Sequence, residues 1–157
     1  MKLLEENDAD LLIQTPTGVN ALHMAAQGNQ PLIMDYLLND LDGVFNLNCK
    51  DKTGATSLIW SSFCGCEVAL TFLLAQPGID VNAANNSGET ALHLAVQTSA
   101  TTRPANIVKR LLIKGADLTL MDCKGRTAMD LCRREGEGKI EALGVLERSD
   151  DRTKTFC

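Results

Sequence analysis

Two histidines and six cysteines have the widest chemical repertoire in this chain, and their spacing limits what they can do. His23 and His93 each sit inside one recurring phrase, Ala21-Leu22-His23-Met24-Ala25 and Ala91-Leu92-His93-Leu94-Ala95. A histidine recurring in one slot is expected to bond neighbouring backbone and tie one structural unit to the next, about one repeat away from its counterpart. The thiols are Cys49, Cys64, Cys66, Cys123, Cys132 and Cys157. They contain no Cys-x-x-Cys, and the close pair Cys64-Gly65-Cys66 lacks a second pair or a nearby histidine to complete a zinc site. Free thiols then point to a reducing, cytosol-facing compartment. No Cys, Ser or Asp pattern recurs beside the histidines as a nucleophile site. The glycines punctuate turns and form no phosphate-binding loop. Glu5-Glu6 and Asp150-Asp151 lie in polar ends with no pocket to shift a pKa. No catalytic constellation, metal site or cofactor is expected.

The elements that must position these residues repeat. Four stretches align on a glycine: Gly18-Val19-Asn20-Ala21-Leu22-His23, Gly54-Ala55-Thr56-Ser57-Leu58-Ile59, Gly88-Glu89-Thr90-Ala91-Leu92-His93 and Gly125-Arg126-Thr127-Ala128-Met129-Asp130. Their glycines are 36, 34 and 37 residues apart. A fixed period in this range marks a solenoid, in which each unit buries its apolar face only against its neighbours. Such a chain makes a surface for holding another protein.

Each unit reads as turn, short helix, tight turn, second helix and long loop. In the third, Asn85-Asn86-Ser87-Gly88 makes the turn and Thr90 caps the first helix. Leu92, Ala95 and Val96 form that helix's inward face. The second helix carries Ile107, Val108, Leu111, Leu112 and Ile113, and Gly115 stops it. From the histidine slot to the Leu37-Leu38 and Leu73-Leu74 pairs is 14 residues, but 18 to Leu111-Leu112, so an insertion sits around Thr101. Unit one has extra residues in its exit loop within 39–48, and unit two has one near Pro77-Gly78.

The expected organisation is one all-α domain over 1–148. Residues 3–14 are the end of a truncated upstream repeat, because Leu3-Leu4 through Leu11 parallels Leu111-Leu112 through Leu118 without a first helix. Repeats follow at 15–50, 51–84 and 85–121, then a polar capping repeat at 122–148 and a charged tail at 149–157.

Composition agrees with a soluble interaction domain. Hydrophobic residues make up 45% and charged residues 22%, ordinary for a globular chain. Aromatics are only 4%, so Leu, Ala, Ile and Val must build the core. No apolar run reaches about 18 residues, and the start turns acidic too early for a signal peptide. Residues 1–80 hold 3 basic and 10 acidic groups, net −7, whereas 81–157 hold 12 and 10, net +2. The acidic half disfavours nucleic acid as a partner. Arg103, Lys109, Arg110 and Lys114 read as a solvated helix face. A monomer is expected.

Ala21-Leu22-His23-Met24-Ala25-Ala26, Thr90-Ala91-Leu92-His93-Leu94-Ala95 and Leu111-Leu112-Ile113-Lys114-Gly115-Ala116-Asp117 resemble the ankyrin signature of about 33 residues with Thr-Pro-Leu-His-x-Ala. The resemblance covers residues 15–147. It departs in lacking proline in every Thr-Pro slot and in having Ile59 and Asp130 for the histidine. It implies an ankyrin-repeat solenoid: an L-shaped stack of helix-turn-helix units with finger loops projecting beside a concave face. In that frame the slot after the histidine holds Met24, Trp60, Leu94 and Leu131, an apolar stripe crossing all units. Three positions later come Gln27, Phe63, Gln97 and Arg134. The expected partner-binding residues are Trp60 as anchor, Met24, Phe63, Leu94, Gln27 and Gln97 around it, and Lys52, Thr53, Glu89 and Arg126 from the fingers.

Some stretches are similar to a narrower group. Ala21 to Pro31, Leu58-Ile59-Trp60-Ser61-Ser62, and Arg103-Pro104 with Arg110 to Asp117 resemble ankyrin-bearing protein S-acyltransferases, the palmitoyltransferases with a catalytic Asp-His-His-Cys. That resemblance implies a stack that precedes transmembrane segments, faces the cytosol at an internal membrane such as the Golgi, and recruits substrates. It also implies a tryptophan in the Trp60 slot that reads an extended peptide. An asparagine of the preceding repeat assists it; here that slot is Gly28, with Asn29 adjacent. The Asp-His-His-Cys itself is absent, so this chain alone transfers no acyl group. The other reading of the same solenoid is a stand-alone regulator or scaffold, such as an inhibitor of a transcription factor or kinase.

Overall fold

A helix shorter than roughly 12 residues is marginal in water, so every helix here must be capped and packed to exist. The computed structural model describes residues 13–41, 45–97, 104–134 and 144–149. Helix α1 spans Ala21–Gln27 and α2 Pro31–Asp35, which widens into a π-type turn over Tyr36–Asp40. Helices α3 (Ser57–Cys64) and α4 (Glu67–Ala75) follow, then α5 (Ala91–Gln97), α6 (Pro104–Ile113) and α7 (Ala128–Arg134). Residues 144–149 are helical as well. Strand pairing among the described residues is limited to isolated bridges, Lys50 with Thr56 and Ala84 with Thr90. The fold is all-α. The expected upstream half-repeat up to residue 12, the expected insertion around Thr101, residues 135–143 and the tail from residue 150 lie outside the described residues.

The helices form two layers. In one, α1 packs on α3, α3 on α5 and α5 on α7; in the other, α2 packs on α4 and α4 on α6. Leu22, Leu58 and Leu92 recur at one slot of the first layer, and Leu70, Leu73 and Leu111 fill the second; all are fully covered. Each buried leucine contributes on the order of 2 kcal/mol. Close approach in the first layer comes from small residues at the next inward slots. These are Ala25 and Ala26, Ser61 and Ser62, and Ala95 and Val96. Both serines return their hydroxyls to the Leu58 carbonyl at 2.9 Å, so they pack as alanines do. Ser57 has no such outlet: its buried hydroxyl finds no partner among the described residues.

The histidine slot does two jobs. Asn20 N–H donates to His23 Nδ1 (3.3 Å) while His23 N–H donates to Asn20 Oδ1 (3.1 Å), a reciprocal cap with histidine in the place usually held by Glu or Gln. The far nitrogen Nε2 donates to the Ala55 carbonyl of the next unit at 3.1 Å. His93 repeats both, accepting from Thr90 N–H at 3.2 Å and donating to the Arg126 carbonyl at 3.1 Å. A carbonyl can only accept, so Nε2 is the nitrogen that donates across each junction, while Nδ1 of His23 also lies 2.7 Å from Asn20 Oδ1. Asp130, in the same slot of the last unit, keeps only the cap, with Thr127 N–H on its Oδ2 at 2.9 Å. Ile59 can do neither with its side chain. The second unit therefore lacks a strut to the third.

Fingers and loops supply the remaining ties. Lys52 N–H donates to Thr17 O (2.9 Å), Asn86 N–H to Thr53 O (2.8 Å) and Cys123 N–H to Ser87 O (2.9 Å), one rung per junction. In the exit loops Asn48 and Asn82 each bridge to the next unit, donating to Gly78 O and Gly115 O and accepting from Asp80 N–H and Asp117 N–H. Asn29, in the left-handed region at φ 54°, accepts from Ala69 N–H at 2.9 Å. It thereby caps α4 of the following unit, whose own N-cap Cys66 has no side-chain cap bond.

Gly54 and Gly125 separate the two reasons for a glycine at the fingertip. Both have positive φ, 78° and 69°. A Cβ on Gly54 would stand 2.8 Å from Asn86 N, whereas one on Gly125 meets nothing within 4 Å. Gly125→Ala should cost roughly 1–2 kcal/mol, the backbone penalty alone. Gly54→Ala should cost more than ~2 kcal/mol, because the rung must also shift. Urea unfolding of both variants checks this, and equal losses would count against the ladder.

Burial pushes His23 below the ordinary histidine value of 6.5, against the opposing pull of the Ala55 carbonyl and the Asp51 charge. The folded chain therefore binds this proton less readily than the unfolded chain. Its contribution is intact above pH 6.5 and declines as pH falls below it. Stability curves of the native chain and His23→Gln should diverge least in acid and most above neutrality.

Candidate partner-binding groove

The residue three before each fingertip glycine sets the geometry of the exposed face. It is Thr15, Asp51, Asn85 and Asp122 in turn. In each case it closes the turn by accepting from backbone N–H groups, as Asp51 Oδ1 does from Thr53 (2.8 Å) and Ala55 (3.0 Å). What differs is the second polar atom. Asp122 Oδ2 takes the Arg126 guanidinium, with Nε at 2.8 Å, and that bond above all holds its carboxyl down at about 2. Asn85 Nδ2 donates to Glu89 Oε2 at 3.0 Å. Asp51 Oδ2 accepts the indole N–H of Trp60 at 2.9 Å.

That last bond fixes the orientation of the chain's only tryptophan. Burial would raise the Asp51 carboxyl, but its bonds from Thr53, Trp60 and Ala55 outweigh burial and hold it below the usual carboxylate range. Asp51 stays ionised at neutral pH and keeps accepting from the indole. The ring itself is half-buried, and Phe63 one turn later on α3 is 53% exposed.

Between units two and three these side chains wall a groove of about 270 Å³. Trp60, Phe63 and Ile59 come from α3, Leu94 and Gln97 from α5, and Thr53, Asn85 and Glu89 from the fingers. The groove lies at the junction without a histidine strut, and Ile59, which replaces the histidine, is part of its apolar lining. Glu89 is held on both sides, Oε2 by Asn85 and Oε1 by Gln97 Nε2 at 3.3 Å.

Six of the ten expected partner-binding residues meet here: Trp60, Phe63, Leu94, Gln97, Thr53 and Glu89. Met24 and Gln27 are exposed one unit away on α1 and do not line it. Lys52 is exposed at its fingertip, and Arg126 turns its guanidinium onto Asp122. The continuous apolar stripe is corrected by the structure. Met24 is exposed and Trp60 half-buried, but Leu94 and Leu131 are covered. The Gly28–Asn29 slot is not part of the lining either, and the Asn29 carboxamide is engaged at Ala69. Asp51 and Asn85 are site residues that the sequence reading did not single out. Their recurrence three before the glycine was the available signal.

Comparison with known proteins places this geometry in a family. The family described as "Ankyrin repeats (3 copies)" matches residues 1–85 and 44–122. Palmitoyltransferase AKR1 of Lachancea kluyveri is 27% identical over 124 residues, 78% of this chain and 16% of that protein. Ankyrin repeat domain-containing protein 53 of Homo sapiens is 29% identical over 133 residues, 84% of this chain and 24% of the relative. The B-cell lymphoma 3 protein homolog of Mus musculus is 28% identical over 134 residues, 84% of this chain and 28% of the relative. The chain thus spans 16–28% of the length of these relatives. No helix among the described residues is long and apolar enough to cross a membrane. The chain belongs to the ankyrin-repeat family and is a protein-interaction module of that non-catalytic kind.

Proposed function

We propose that this chain is the substrate-recruiting ankyrin region of a protein S-acyltransferase and that the groove at Trp60 holds an extended segment of the substrate. The observation that carries the reading is the groove itself. An indole locked by Asp51 stands beside an exposed phenylalanine at the one described junction whose strut is replaced by an apolar residue. Similarity to palmitoyltransferase AKR1 over 78% of the chain supports the acyltransferase assignment. The module makes and breaks no bond. It raises the local concentration of substrate near a catalytic domain carried elsewhere in the parent protein, facing the cytosol at an internal membrane. The binding module is monomeric in this reading, with no cofactor and no nucleic acid.

A stand-alone regulator or scaffold is the second reading, favoured by comparable similarity to the B-cell lymphoma 3 protein homolog. The full-length reading frame separates the two. Four apolar stretches of about 20 residues with a downstream Asp-His-His-Cys motif would settle on the acyltransferase, and their absence would favour the regulator.

The groove can be tested on the chain itself. Trp60→Ala should keep its helical circular dichroism and weaken partner binding by ~2 kcal/mol or more, about thirtyfold. Ile59→His should restore a strut toward the Glu89 carbonyl and fill the apolar lining. Its stability should hold or rise while binding falls. Unchanged partner affinity in both folded variants, measured by calorimetry, would remove the groove from the mechanism.

A further inference from the structure

Resting on the reading of this face as the partner groove, we infer that the side chain it receives is an arginine on an extended segment of the partner. The groove sets apolar side chains among the polar ones of Thr53, Asn85, Gln97 and Glu89, and the last of these is a carboxylate. Glu89 receives Asn85 Nδ2 on one oxygen and Gln97 Nε2 on the other. Each amide occupies one lone-pair site, and a carboxylate offers about four. The two bonds hold the carboxylate in a fixed plane with acceptor capacity left on both oxygens.

No cationic side chain among the described residues pairs with Glu89. The described ion pairs are Arg110 with Glu67, Arg126 with Asp122 and Arg133 with Glu147. Nor does any lysine or arginine line the groove. The Asp51 carboxylate adds negative charge behind Trp60, and residues 51–97, which supply the whole lining, hold one lysine against four carboxylates, net −3. The field at the groove therefore attracts a cation.

Shape selects which cation. A carboxylate with two free acceptor directions in one plane matches the parallel N–H groups of a guanidinium. Trp60 and Phe63 add aromatic surface in the same groove, on which a planar, weakly hydrated guanidinium stacks better than an ammonium. The volume, about 270 Å³, suits one long side chain and lies below the usual small-molecule range of about 300–1,000 Å³. Ile59 and Leu94 take up the methylene stem.

The test uses the full chain and a randomised linear-peptide library displayed on phage. Selected peptides are synthesised and titrated by the fluorescence of Trp60, the only tryptophan. The expected result is a shared arginine among peptides that perturb Trp60. Replacing it with citrulline, neutral and nearly isosteric, should weaken binding about tenfold or more. Glu89→Gln should impose the same loss on the arginine peptide and none on the citrulline peptide. Groove-binding peptides without a common basic residue would overturn the inference. So would undiminished binding to folded Glu89→Gln, or a lysine peptide that binds as tightly as the arginine one. The citrulline arm leaves the protein unaltered, so it remains readable if the variant misfolds. Failure of the groove reading looks different: selected peptides would bind Trp60→Ala as well as the native chain.

Discussion

Every unit of this chain is too small to fold alone, and the hydrogen bonds that cross from one unit to the next are what the rest depends on. Helices of five to ten residues cannot repay their own ordering entropy. They persist because leucines interlock between layers and because each junction is tied at its polar edges. A fingertip rung, a loop asparagine and a histidine strut span different heights of the same interface. Each such bond contributes about 1 kcal/mol net. Their larger effect is geometric, since together they fix the register of neighbouring units and hold the face that a partner meets.

The histidine slot shows how one side chain couples local and long-range order. Nδ1 completes a helix cap, and the ring is thereby oriented so that Nε2 reaches the next unit. Asp130 retains the local half at the last unit, where no following finger is described, and Ile59 abandons both. The second unit compensates at its fingertip, where Asn86 donates through its backbone to Thr53 and through its side chain to Lys52. The junction remains registered while its centre is apolar and open.

The period, the helix pairs and the tying role of the histidines were legible because each depends on residues within one or two units. The gathering of Trp60, Phe63, Leu94, Gln97, Thr53 and Glu89 was legible in part, since slot equivalence in a repeat predicts neighbourhood. Exposure along the stripe was not, because Met24, Trp60, Leu94 and Leu131 share one slot yet are covered to different extents by what surrounds each. The partner of the Trp60 indole was hidden for a different reason. The slot of Asp51 is Asp122 in the last unit, where it takes an arginine instead, so the residue type alone does not say which donor it will meet. Asn29 illustrates the longest reach: it looks like a turn residue, and it caps a helix 40 residues on.

The missing strut also explains why the groove can be both apolar and rigid. A pocket lined by mobile side chains must order them on binding, at roughly 0.5–1.5 kcal/mol for each flexible one. Here the main polar and aromatic walls are ordered beforehand. Trp60 is held by Asp51, Asp51 by Thr53 and Ala55, and Glu89 by Asn85 and Gln97. Each of these restraints has one end in a finger, and the rungs to the neighbouring units fix the spacing of the fingers. Removing the histidine from this junction therefore opens space without loosening the walls, and a site of that kind needs the solenoid on both sides of it.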